Sequence, residues 1–566
     1  MRRRNFIRKL GFAAGMPIAF QGVPIKLLAS YEPLQRLAAQ SDNDRVLIIL
    51  QMNGGNDGLN TFIPIEQYDQ YYSRRANIAI PNKVGNRTLI PLDSTLLSAD
   101  QVGLHPDMLD FKYMYDVGKA AMFQGVSYKN NNGSHFRGTD IWMMGGTSDD
   151  YFNSGWAGRY LTSLYAPQKY PEDFPNAAMP DPLALEMGND VSLLFHQDGN
   201  IPTSIGLGGS PTGLANLVDQ LSGFEDQGID PRGIPPEFLR TSPYGKEMDW
   251  ILSLEDKSET YIKRLLQIYE SASATSVTYP ERYPFNAPGG SKKNPLSGQF
   301  QLIARLLGGG LKTKVFLVKI GGFDSHANQV EDYDSTMGVH GALLYHITSA
   351  IRAFQRDLLS RGIEDKVLTV TLSEFGRRIG SNGSYGTDHG TGGPVMMFGS
   401  GVKPGVYGTN PDLTKSNVEM QHDFRQIYAN ILHEWMGVDK SVVANDIFFE
   451  DLIEGPKETG GNYEPMDLIK DVILGTQQNL SVNFKIESVY PNPASDVVNL
   501  KVKVNDVQEA AFKLIDETGA TVLAFKQRLV PGSQEIKVHL PKLSPGVYLI
   551  KVNSEKLNDA KRLIIN

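Results

Sequence analysis

"KVFLVKIGGFDSH", Lys314 to His326, runs an apolar strand-like segment into a double glycine and then sets Asp324 and His326 two positions apart. The same order recurs along the chain. "RVLIILQM" (45–52) leads into "NGGNDGLN", "AAMFQGV" (120–126) into "SYKNNNGSHFRGTD", and "KVLTVTL" (366–372) into "SEFGRR". A further apolar run, "PVMMFGSG" (394–401), is instead preceded by "GTDHGTGG". Between them, "HGALLYHITSAIRAFQRDLLSRG" (340–362) has the apolar spacing and length of a crossover helix. Strand-like runs alternating with helical patterns predict an α/β fold, a mostly parallel sheet flanked by helices. In such a sheet the carboxyl ends of the strands line one edge, so polar residues just after several strands converge on one crevice.

The chain has 566 residues, more than one hydrophobic core usually organises, which predicts a large domain with accessories. A hydrophobic share of 41%, a charged share of 21% and a net charge of -8 describe a soluble, mildly acidic protein. There is no basic field to hold nucleic acid, and that class of function is set aside. Cysteine is absent, which excludes disulfides, thiolate metal sites and a cysteine nucleophile. The chemistry must use oxygen and nitrogen.

Asn56, Asp57, Asp324, His326, Glu374, Asp388 and His389 supply amide, carboxylate and imidazole groups suited to a divalent metal such as Zn, Mn, Mg or Ca, with identity and number open. Such a cation can polarise an ester oxygen or acidify a water. Ser134 stands after a strand-like run and before a helical one, where backbone N–H groups favour an anion, and is the candidate nucleophile. His135 is its neighbouring base or a metal ligand, and Arg137 and Arg377 are candidate oxyanion clamps. Each has a structural alternative. The glycine pairs Gly54-Gly55 and Gly321-Gly322 can serve as tight turns, Asp57 and Ser134 as helix N-caps, and Glu374 as a partner of Arg377 or Arg378. Asp388-His389 is the hardest to explain structurally, because a glycine-rich loop gains little from an adjacent acid and imidazole. His340, His346, His422 and His433 fall on helical patterns and read as surface or packing residues.

The N-terminal "MRRRNFIRKLGFAAGMPIAF" (1–20) resembles a twin-arginine export signal with its core at Arg3 to Lys9; a basic amphipathic tail is the alternative. Its apolar run is too short and glycine-rich for a stable membrane span. At the other end, "VVNLKVKV", "AAFKLID", "QEIKVHL" and "GVYLIKV" alternate between turn signals and predict a small antiparallel sandwich. With "YPNPASD" (490–496), "DETGATV" (516–522), "LSPGVYLIKV" (543–552) and the final "KRLIIN", residues 484–566 resemble the type A C-terminal sorting domain of the type IX secretion system of Bacteroidetes. A carbohydrate-binding or spacer sandwich would share the alternation without this order of motifs. The two resemblances imply the twin-arginine translocase and the type IX machinery as partners. They also imply an exported, cell-surface or extracellular protein with no transmembrane span in its mature form. The expected organisation is an export signal and leader over 1–40, a main domain over 44–454, a linker over 455–483 and the sorting domain over 484–566.

"LIILQMNGGNDGLNTFIPI", "GLHPDM", "SHFRGTDIWMMG", "SGWAGRYL", "GGFDSHANQ", "SEFGRRIGSNGSYGTDHGTGGPVMMFG" and "HDFRQIYANIL", in that order, resemble the exported family catalogued as domain of unknown function 1501. That family is grouped with the alkaline phosphatase and sulfatase superfamily, which implies a metal-assisted site on a helix-flanked sheet. By the resemblance, Asn56 or Asp57 matches the first metal position, Ser134 the nucleophile, and Asp324 with His326 the middle pair. The chain departs from the superfamily pattern at "SEFG", where Glu374 is followed by Phe375 and the Asp-His pair comes only at Asp388-His389. Nor does "SHFRG" match the motif that sulfatases convert to formylglycine. Two readings stand: an exported metal-dependent hydrolase of phosphate or sulfate esters, on a polymeric or other anionic substrate, and a non-catalytic surface protein that keeps the scaffold for binding or assembly.

Overall fold

The computed structural model describes residues 43–83, 87–188, 191–198, 201–207, 257–258, 260–457, 460–470, 484–504, 508–516, 521–530, 532–554 and 557–565, with the pairs 19–20 and 23–24. The export-signal reading of Arg3 to Lys9 lies outside them. The chain divides into two compact units, residues 1–470 and 471–566.

The first unit is built on a nine-stranded sheet. Its strands in chain order are β1 (Val46–Met52), β2 (Ala120–Ser127), β3 (Ala184–Met187), β4 (Ser204–Leu207), β5 (Val315–Ile320), β6 (Val367–Leu372), β7 (Gly393–Phe398), β8 (Gly405–Tyr407) and β9 (His422–Asp423). They lie in the order β4-β3-β5-β1-β6-β7-β2-β8, with β9 also along β2. All pairs are parallel except the two made by β7, which runs antiparallel to β6 and β2. The helices that matter below are α1 (Gly58–Thr61), α2 (Tyr68–Arg75), α3 (His135–Met144), α4 (Trp156–Tyr165), α5 (Pro295–Gly308), α6 (Val339–Ser360) and α7 (Phe424–Asn430).

Strand β1 is buried along its whole length, as its unbroken apolar run requires of a strand covered on both faces. Because side chains alternate along a strand, Val46, Ile48, Leu50 and Met52 enter one core, and Leu47 and Ile49 the other. The first core packs α5 and α6 through Phe300, Ile303, Ile347, Ile351 and Phe354. The second packs α3, α4 and α7 through Trp142, Trp156, Phe424 and Tyr428, whose rings stack on one another. Helices thus cover both faces, and α6 occupies the span that the sequence periodicity predicts.

In the second unit, Phe484–Tyr490, Val497–Val504 and Gly532–His539 form one antiparallel sheet, and Gln508–Ile515, Thr521–Leu529, Gly546–Ser554 and Leu557–Ile565 another. Both contribute to one core, Val498, Leu500 and Val502 from the first and Phe512, Leu514, Ile550 and Val552 from the second. That is the sandwich expected from the alternation.

Candidate metal centre

Strands β1, β5 and β6 end level with one another, since Met52 pairs with Ile320 and Gln51 with Leu372. Their following loops therefore meet at one edge. Gly54 makes a close contact: at φ +119° it lies so near the loop after β5 that a Cβ would stand 2.1 Å from the Asp324 backbone nitrogen. The reversed direction of β7 explains why the Asp-His pair precedes its strand. The amino end of β7 lies at the edge where the parallel strands finish, and an antiparallel bridge between Arg377 and His389 holds the connection from β6 to β7 over it. The loop after β2 completes the set by delivering His135 at the first turn of α3.

Asp324 is the hub. One ligand atom from each of His135, Asp324 and His389 lies within 4.8 Å of the others. Asp324 Oδ2 is 3.5 Å from His135 Nε2, and Oδ1 is 3.3 Å from His389 Nε2 and 3.2 Å from His326 Nε2. The Nε2 atoms of His326 and His389 are 2.8 Å apart. The far nitrogen of each ring faces an acceptor. His135 Nδ1 is 3.0 Å from Glu374 Oε1, which also accepts from the Gly54 N–H at 2.7 Å. His389 Nδ1 is 2.7 Å from the Gly133 carbonyl, and His326 Nδ1 is 3.5 Å from Asp388 Oδ1. An imidazole that donates from Nδ1 presents a lone pair at Nε2, the arrangement that orients histidines toward a metal.

Burial pushes the Asp324 carboxyl up, but the hydrogen bond and charge of Arg377, helped by His389 and His135, hold it below its ordinary value. Burial, with Arg377 and His135, also lowers His389 against the pull of Gly133 and Asp324. Asn382, by a side-chain hydrogen bond, holds Asp388 low, with His326 adding to it. The acids are thus anionic and His389 neutral near neutral pH, the protonation state a cation requires.

The donor set fits a divalent ion. Tetrahedral coordination at Zn–N and Zn–O lengths near 2.0–2.1 Å puts neighbouring donors roughly 3.3 Å apart, and the carboxylate-to-imidazole distances of 3.2 to 3.5 Å span that value. The His326–His389 Nε2 separation of 2.8 Å is shorter, and an opening of about half an ångström would bring it to the same roughly 3.3 Å spacing.

Other sequence candidates go elsewhere. Gly54 and Gly55, both at positive φ, turn the chain inward after β1. Asp57 is consequently buried, caps α1 through the Leu59 N–H, and pairs with Arg75 at 2.8 Å. Asn56 Oδ1 accepts from Thr61 and faces His340. Neither joins the cluster around Asp324, contrary to the expectation for a first metal position. Ser134 Oγ accepts from the Arg137 N–H at 3.3 Å as the N-cap of α3, the structural alternative to a nucleophile. The Arg137 guanidinium turns to the Ser148 and Asp150 carbonyls and stacks on Tyr151. Arg377 is buried, donating to the carbonyls of Gly54, Gly55, Phe323 and Thr387 and reaching the cluster only through Asp324 Oδ1 at 2.8 Å. Glu374 pairs with His135 rather than with Arg377 or Arg378. Gln329 and Arg75, which sequence reasoning did not single out, bind the site loops from beneath; no spacing or motif marks them.

Residues 256–446 match the family described as "Protein of unknown function (DUF1501)", and residues 488–566 match the "Secretion system C-terminal sorting domain". The tail indicates export to the cell surface or the extracellular space, and it implies the secretion machinery as a partner. Among the described residues no helix is long and apolar enough to cross a membrane. No curated protein matches the chain. Dimeric latent PorU from Porphyromonas gingivalis aligns at 21% identity and TM-score 0.12, over 14% of this chain and only 9% of that one. A protein in the alkaline phosphatase superfamily from Vibrio parahaemolyticus aligns at 10% identity and TM-score 0.31, over 83% of this chain and 77% of that one. Alkaline phosphatase from the Antarctic bacterium TAB5 aligns at 10% identity and TM-score 0.28, over 70% of this chain and 99% of that one.

Proposed function

We propose that the protein is an exported, metal-dependent hydrolase of phosphate or sulfate esters, working at the cell surface or outside the cell. The observation that carries this reading is the convergence of three imidazole Nε2 atoms on Asp324, with an acceptor facing the far nitrogen of each ring. Asp324, His135, His326 and His389 would hold the ion, and Glu374, the Gly133 carbonyl and Asp388 orient the rings. When bound, a divalent cation at this position supplies polarisation of an ester oxygen and acidification of a water. The resemblance of the motifs to the phosphatase and sulfatase superfamily puts those esters first. Ser134 serves as a helix cap in this reading, so the nucleophile is water.

One observation favours the second reading, a metal-stabilised binding or assembly protein: Ser134, Arg137 and Arg377 are all engaged with backbone groups and leave no free oxyanion clamp among them. Elemental mass spectrometry of the purified protein, with assays on aryl phosphate and aryl sulfate, separates the two. Stoichiometric metal and ester hydrolysis are expected in the wild type, both lost in Asp324→Ala and His389→Ala. Ser134→Ala keeps the activity and loses about 0.5–2 kcal/mol of stability. Bound metal without hydrolysis of either ester moves the assignment to the binding protein, and absence of metal overturns the site.

A further inference from the structure

We propose that Gln329 is the positioning residue of the metal centre, fixing the two ligand-bearing loops to each other from beneath. The inference rests on the metal reading above. Gln329 is fully buried and sits three residues beyond His326. Its side-chain Oε1 accepts from Ser325 Oγ at 3.1 Å and from Thr387 Oγ1 at 3.0 Å. Ser325 lies between the ligands Asp324 and His326, and Thr387 is followed by Asp388 and His389. One carbonyl oxygen therefore ties together the two loops whose Nε2 atoms and carboxylate must meet. The amide Nε2 donates to Asp57 Oδ2 at 2.6 Å, which fixes the direction of the side chain, since a carboxylate only accepts.

Asp57 is itself held. Arg75 pairs with it and donates from Nε to the Ile379 carbonyl and from Nη2 to the Arg378 carbonyl, so the segment carrying Arg377 is pinned to the same base. The Gln329 backbone joins in: its N–H donates to the Tyr385 carbonyl at 2.8 Å, and its carbonyl accepts from His340 at the start of α6. Asn56 and Asp57 thus act on the centre through the loops above them and not as ligands. A buried hydrogen-bonded network specifies one arrangement, and loss of Gln329 leaves charged Asp57 Oδ2 with one donor fewer beside Arg75.

The test is a titration of the metal-free full chain with Co²⁺ alone, read by the visible d–d bands, for wild type, Gln329→Met and Tyr71→Phe. Methionine keeps the volume and removes the bonds to both loops. Tyr71→Phe removes two buried hydrogen bonds near the same base, to Asn60 and Ile80, without touching a ligand loop. The expected result is a loss of about 10- to 100-fold in Co²⁺ affinity with an altered band pattern in Gln329→Met, while Tyr71→Phe lowers the thermal midpoint and leaves affinity and bands as in wild type. If Gln329→Met does not fold, Thr387→Val removes one of its loop bonds and is expected to shift affinity in the same direction by less. Unchanged affinity and bands in the variants at 329 and 387, or equal changes in Tyr71→Phe, overturn the inference. A wild type that binds no Co²⁺ overturns the metal reading itself.

Discussion

Gly54 shows how much of the centre depends on one hydrogen atom. Its φ of +119° disfavours any side chain, and the Asp324 backbone lies where a methyl group would go. Gly54→Ala is expected to cost roughly 1–3 kcal/mol from backbone strain alone and to lower bound metal, because the loop carrying Asp324 must move away. Gly321→Ala, where an added Cβ meets nothing, is the matched control and leaves both properties near wild type. Calorimetry and elemental analysis on the pair decide it. At this scale Asp324, His326 and His389 were legible, because acid and imidazole in glycine-rich turns have few structural uses. Asn56 and Asp57 were not, because whether a polar pair after a strand faces solvent or turns under the loop is decided by two glycine dihedrals that composition does not reveal. Gln329 was illegible for a related reason: its importance lies in what stands above it, on residues far away in the sequence.

Among the elements, β7 departs from the parallel pattern of its neighbours. A continuous apolar strand buried on both faces carries no sign of its direction, so the sequence showed a strand at 394–401 and a polar loop before it without showing why the order was inverted. The reversal is what keeps that loop on the working edge. Helix α6 was readable in full, since its long apolar stripe fits one face at helical spacing. Ile351 in that stripe is completely buried. Ile351→Ala is expected to cost about 2–5 kcal/mol in denaturant unfolding while leaving metal stoichiometry unchanged, because the stripe faces the sheet and not its edge. Loss of metal in a folded Ile351→Ala protein would show that the helix positions the ligands.

For the whole molecule, neutral buried histidines set an acid limit. Burial pushes His340 from its ordinary 6.5 down to about 4, and burial likewise lowers His105, His346 and His422. A base with a depressed folded pKa takes up protons in the unfolded chain first, so stability falls as pH drops from about 6.5 toward 4 and levels for that group below it. Asp57, held low chiefly by Arg75 against burial, adds a loss at still lower pH as it protonates. Thermal midpoints are expected to decline from neutral pH to about pH 5, with a shallower decline in His340→Gln, which still donates to Asn56. An equal slope in the variant would assign the decline to other groups. With no disulfide to fall back on outside the cell, the fold relies on packing and buried hydrogen bonds. The proposed donors, residues 135, 324, 326 and 389, come from three separate loops spread over about half of the first unit. A chain that ends before His389 lacks one of the proposed donors, so the proposed site is complete only once synthesis has passed that residue.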